Sequence, residues 1–173
     1  MNPFGQEPED AELGKNTTVM DRSGGHSGVV AKYYVAPPQV GSDEYDVLDA
    51  AWLDHFPGRS KKPIISDLVA DVMEACADYM TEVGHTKYTL IDNDGSVCLT
   101  GAVDGVTNGW PSWQRTLFMD HMEAVVRPPQ RPMALIMWND YPETTQEQVV
   151  EGFRKAAKVA RGAPLEDASD GSQ

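Results

Sequence analysis

Apolar residues recur at helical spacing along most of this chain, in runs separated by Gly- and Pro-bearing stretches. The best-specified run is the last. Val149, Val150, Phe153, Ala156, Ala157 and Ala160 follow the i, i+3, i+4, i+7 rhythm of one helix face. Thr144 with Glu147, or Thr145 with Gln148, supplies a capping box at its start, in which each side chain satisfies a backbone N–H that the helix leaves orphaned. Glu143, Glu147 and Glu151 come early, and Arg154, Lys155, Lys158 and Arg161 late, an order that suits the helix dipole. Gly162 and Pro164 give the stop.

Three further helices follow from the same pattern. Ser42 to Phe56 starts on a capping serine, carries Tyr45, Leu48, Ala51, Trp52 and Phe56 as its stripe, and ends at Pro57-Gly58. Ser66 to Val83 has Val69, Val72, Met73, Cys76, Met80 and Val83 in register, widened by Leu68, Ala75 and Tyr79. An apolar face that wide predicts a central helix contacted on two sides. Ser112 to Val126, with Ser112 as cap, turns Trp113, Leu117, Phe118, Met122 and Val125 to one side, and Arg127-Pro128-Pro129 ends it.

The segment between the second and third of these reads differently. Lys87 to Ile91 alternates and predicts a short strand, followed by the turn Asp92-Asn93-Asp94-Gly95. Val97 to Val106 is either the return strand of a hairpin or a short helix. Cys98, Ala102 and Val106, four apart, favour the helix, with Gly101 and Gly105 leaving room for a second helix to approach closely. The apolar run Ala134 to Trp138 ends in a Trp138-Asn139-Asp140 turn. Ala31 to Val35 is a short strand or a packing arm, stopped by Pro37 and Pro38.

These elements predict a mainly α protein: one helical domain over residues 42–162, with at most a short β-hairpin near residues 87–99. Residues 1–41 form an acidic, Gly- and Ser-bearing arm, too poor in large apolar side chains over its first ~30 residues to offset the entropy of ordering. Residues 163–173 form an acidic tail.

Charge narrows the range of partners. The 173 residues hold 27 acidic and 14 basic side chains, a formal charge of −13. Direct nucleic-acid binding needs a basic footprint, so a basic protein surface is the more natural partner. Arg59 to Lys62, the one basic cluster before the last helix, reads as a solvated linker. No run approaches the ~18 apolar residues of a membrane span. The polar N-terminus lacks the features of a signal peptide. A cytoplasmic setting is therefore expected, with Cys76 and Cys98 as buried free thiols.

Signs of chemistry are sparse. His26, His55, His85 and His121 stand at no metal-ligand spacing. An EF-hand register with Gly95 at its sixth position puts Leu90 and Gly101 where the first and last ligands belong. No nucleophile elbow, phosphate loop or dinucleotide fingerprint is present, so no catalytic residue, metal or cofactor is assigned. Asn139 and Asp140 either line a site or bend the backbone, with Trp138 in the core. Gln114-Arg115-Thr116-Leu117-Phe118 resembles the peptide by which bacterial replication and repair proteins dock on the DNA sliding clamp. There Gln114 would bond at the pocket rim while Leu117 and Phe118 filled it. Against that, Leu117 and Phe118 lie on the stripe that should face the core.

Cys98-Leu99-Thr100-Gly101-Ala102, Trp138-Asn139-Asp140 and the Thr-capped helix to Ala157 together resemble a small domain family of actinobacteria and their phages. That family is marked by C-x-x-G-A and W-N-D motifs and has no established activity. The resemblance spans about Leu68 to Ala160 and implies a helical, phage-borne domain. It singles out Cys98, Gly101, Ala102, Trp138, Asn139 and Asp140 as motif residues and transfers no catalytic role. The expected function is non-enzymatic: an acidic protein that binds and modulates a host protein in the host cytoplasm. The alternatives are sliding-clamp docking through Gln114 to Phe118, a DNA mimic with two rows of acidic side chains, and an enzyme with its site at Asn139 and Asp140.

Overall fold

Helix α3, Asp67–Val83, is the axis of the fold. In the computed structural model, which describes residues 27–55, 61–126 and 134–165, it stands among six other helices: α1 (Ser27–Tyr33), α2 (Asp43–Asp54), α4 (Leu99–Val106), α5 (Ser112–Val125), α6 (Leu135–Asp140) and α7 (Gln146–Ala160). Residues 1–26, Phe56 to Ser60, Arg127 to Met133 and the tail beyond Leu165 lie outside the described residues. So do the expectations placed on them, namely the unstructured arm, the Pro57-Gly58 stop, Arg59 of the basic linker and the Arg127-Pro128-Pro129 stop.

The caps set the helix frame. Ser66 accepts the N–H of Val69 at the start of α3, and Gly84, at φ 96°, turns the chain away at its end. Thr145, the second of the two candidate threonines, caps α7 in a reciprocal box with Gln148. The first, Thr144, is buried and donates to the Trp138 carbonyl at 2.6 Å. Ser42 caps α2 as expected. Helix α5 differs: Pro111 holds the cap position without a side-chain bond, and Ser112 is the first helical residue.

Helices α3 and α7 pack antiparallel. The Ser66 N–H bonds to the Ala160 carbonyl at one end, and Gln146 Nε2 donates to the Met80 carbonyl at the other. Val69, Val72, Met73, Cys76 and Met80 on α3 and Val149, Phe153, Ala156 and Ala157 on α7 are buried in one core. Burying a side chain of this size contributes about 1.5–3 kcal/mol, so this pair dominates the stability. Helices α1 and α4 also pack against α3 and α5 packs against α7, with α2 outside α5. The wide apolar face of α3 is thus covered from several directions.

Three expectations change. No strand occurs among the described residues. The 85–98 stretch makes only isolated bridges, His85 with Val97 and Ile91 with Val97: its backbone bonds are scattered, the Thr86 N–H to the Val97 carbonyl and the Cys98 N–H to the Leu90 carbonyl, while the Tyr88 N–H and the Thr86 carbonyl go to α6. Val97–Val106 resolves as the helix α4, which needs small residues. At Gly101 a Cβ would collide with the Leu90 carbonyl, and at Gly105 it would lie 2.9 Å from the Tyr79 ring. The close approach comes from a loop and an aromatic ring, not from a helix backbone. Finally, the segment read as a short strand or packing arm from Ala31 begins inside a helix, Ser27–Tyr33, with Val30 buried. The extended residues after it dock through Val35, whose N–H reaches the Val106 carbonyl and whose carbonyl takes the Trp110 indole N–H at 2.8 Å.

Candidate functional site

The Trp138-Asn139-Asp140 sequence closes α6 and staples it to the loop that precedes α4. Asn139 is 2% exposed. Its Oδ1 accepts the Leu99 N–H at 3.0 Å and meets His85 Nε2 at 3.0 Å, and its Nδ2 donates to the Thr86 carbonyl and to Asp140 Oδ1. An amide oxygen only accepts, so the His85 proton sits on Nε2. Asp140 Oδ1 accepts the Tyr88 N–H at 2.9 Å, and Lys87 Nζ donates to the Tyr141 and Pro142 carbonyls. The polar pair bends and joins backbone, as short amide and carboxylate side chains do, while Trp138 packs toward Gly152.

This clamp holds Tyr88 at φ 65°, the only non-glycine described there. A bulky residue in that region costs roughly 1–2 kcal/mol, and such strain persists only where surrounding bonds over-determine it. The consequence is presentation: the Tyr88 ring is 77% exposed. It borders a groove of about 220 Å³ lined by Leu90, Cys98, Thr100, Ile136 and Asp140 among others. That volume is below the ~300–1,000 Å³ of small-ligand pockets. Ile136 is 57% exposed and Met137 61%. Tyr141, the C-cap of α6, is exposed as well. Five of the eleven exposed large apolar side chains described, Tyr88, Leu90, Ile136, Met137 and Tyr141, therefore belong to these two short segments.

Cys98 lies at the groove floor as the N-cap of α4, its Sγ accepting the Gly101 N–H at 3.3 Å. Burial pushes its thiol up; backbone N–H groups of Gly101 and Thr100 act the other way, and the nearby Asp140 and Asp104 carboxylates add to the rise. It stays a thiol at neutral pH, whereas a nucleophile requires the thiolate. Among the described residues no three His, Cys, Asp or Glu side chains are grouped to hold a metal ion.

The motif residues converge. Cys98 and Asp140 line the groove, Asn139 holds the first N–H of α4, and Gly101 and the buried Ala102 seat α4 under Leu90. Gln114, Leu117 and Phe118 lie elsewhere, on the core side of α5 where the apolar stripe puts Leu117 and Phe118. All three are 1% exposed or less, and Phe118 stacks edge-on to Trp110 at 5.4 Å. A core stripe of α5 offers no accessible peptide. The acidic residues of α3 do not form free rows either: Asp71 and Glu74 pair with Arg161, Asp78 with Arg154 and Glu82 with Lys32. Sequence reasoning missed Tyr88, Leu90 and Ile136 as surface residues. The signal available was the run of apolar residues without amphipathic period at 135–138 and the lone alternation at 87–91.

The sequence model of DUF6197, a family of unknown function, matches residues 65–159, the span that carries the groove and both motifs. No curated protein and no solved structure matches the chain.

Proposed function

Because the chain belongs to DUF6197, a family of unknown function, its role has to come from its own surface, and we propose that it is a protein-binding module that docks a partner on the apolar face beside α6. The observation that carries this reading is the exposure of Tyr88, Leu90 and Ile136 along one shallow groove, with Met137 and Tyr141 exposed next to groove residues in the chain. Grouped apolar exposure of this kind marks interaction sites on monomeric proteins. Aromatic and Met side chains are the residue types enriched at interface centres. An enzyme reading has less support, since Asn139 and one oxygen of Asp140 are taken up by hydrogen bonds within the clamp and Cys98 stays protonated. No described helix is long and apolar enough to cross a membrane. The resemblance to phage-borne domains adds the setting: the partner is a host protein in the host cytoplasm, modulated by the binding.

The test is quantitative co-purification from host lysate with three tagged forms: wild type, Leu90→Asp/Ile136→Asp, and Leu53→Asp as an exposed apolar control on α2. The proposal predicts a protein retained by wild type and Leu53→Asp and lost with the double variant, all three showing the same thermal melt. Equal capture by all three, or no capture by any, overturns it.

A further inference from the structure

We infer that the groove takes a partner segment carrying a Lys or Arg next to a large apolar side chain, with the cation bound by Asp140. This deepens the protein-binding reading and rests on it. Asp140 uses one oxygen, Oδ1, for the Tyr88 and Asn139 N–H groups. Among the described residues Oδ2 takes no hydrogen bond and the carboxylate forms no ion pair, although Asp140 lines a largely apolar groove. A carboxylate oxygen beside apolar walls is a strong acceptor for a charged donor, because charge-assisted bonds are roughly twice as strong as neutral ones. Among the described residues no cation lines the groove to fill that role. Lys87, next to Tyr88 in the chain, donates to the Tyr141 and Pro142 carbonyls, and Arg115 pairs with Asp104. The apolar neighbour then lies on Leu90 and Ile136, with the Tyr88 ring against either group. A second copy of the chain is a poor occupant, since each copy carries a formal charge of −13 and like charges repel.

The experiment pans a random peptide library displayed on phage against the full chain and measures the enriched peptides by fluorescence anisotropy. The key variant is Asp140→Asn, which keeps an Oδ1 for Tyr88 and Asn139 and replaces the charged Oδ2 acceptor by a neutral N–H donor. The inference predicts enriched peptides with Lys or Arg adjacent to an aromatic or aliphatic residue. It further predicts at least about tenfold weaker binding to Asp140→Asn, and weakening with salt. If the peptides are apolar without a basic residue, lose binding with Ile136→Asp and keep it with Asp140→Asn, the cation site is refuted while the docking face stands. If the enriched peptides bind Leu90→Asp/Ile136→Asp as well as wild type, or if none enriches, both readings fall. An unchanged circular dichroism melt of Asp140→Asn separates loss of charge from loss of fold.

Discussion

Replacing Asn139 with Ala should be among the most destabilising single changes outside the apolar core. The side chain is 2% exposed and supplies the only acceptor for the Leu99 N–H, at 3.0 Å, where α4 begins. Alanine leaves that buried N–H unsatisfied, at about 1–3 kcal/mol. His85 Nε2 loses its partner as well, but it is only half-buried and water can reach it, so this loss adds about 0.5–1 kcal/mol. The total is about 1.5–4 kcal/mol. At about 4 °C per kcal/mol for a domain of this size, the melting temperature falls by roughly 6–16 °C. The assay is thermal and urea unfolding followed at 222 nm, with amide exchange to locate the change. The Leu99 amide should lose protection first, together with the loop residues 85–91. A loss below ~0.5 kcal/mol, or exchange that rises uniformly over the chain, would refute the idea that this amide staples α6 to α4.

Other consequences are more local. His121 is buried, with Nδ1 accepting the Ile64 N–H at 2.8 Å and Nε2 meeting the Ala156 carbonyl at 2.9 Å, and burial lowers its pKa. Its contribution is complete above the unfolded value of ~6.5 and falls as the pH drops below that value until the lowered folded pKa is passed, by at most about 1.4 kcal/mol per pH unit. Urea titrations from pH 7.5 to 5 should show a steeper acid loss for wild type than for His121→Gln. Gly101→Ala should cost about 1–3 kcal/mol or more in urea unfolding, since the new methyl meets a backbone carbonyl. Leu117→Ala and Phe118→Ala should cost about 2–5 kcal/mol each by the same measurement, and near-neutral values would contradict their place in the core. Thr145→Ala should cost about 1 kcal/mol and speed exchange at the first turn of α7.

What the sequence reveals and what it hides follow from length and range. Helices α3, α5 and α7 run for 17, 14 and 15 residues, long enough for several turns of apolar periodicity to declare a face. Helix α6 has six residues, fewer than two turns, so its apolar run has no period to distinguish it from an extended segment. The alternation at Lys87 to Ile91 belongs to an irregular loop, because the Tyr88 N–H goes to Asp140 and the Lys87 ammonium to the Tyr141 and Pro142 carbonyls, more than 50 residues away. The sequence marked Asn139 and Asp140 as backbone-binding residue types, yet nothing local names their partners. The groove is the product of those distant bonds. Tyr88, Leu90 and Ile136 look like core material until the clamp turns them outward.

The measurement that bears most directly on the proposed docking face is site-specific photo-crosslinking in cells, with benzoylphenylalanine placed at Met137, next to the groove residue Ile136 in the chain, and at Leu53 as an exposed control far from it in sequence. The account predicts one discrete adduct from Met137, abolished by Leu90→Asp/Ile136→Asp, and none of that mass from Leu53. The same adduct from both positions, or none from Met137 in a chain that melts like wild type, would contradict it.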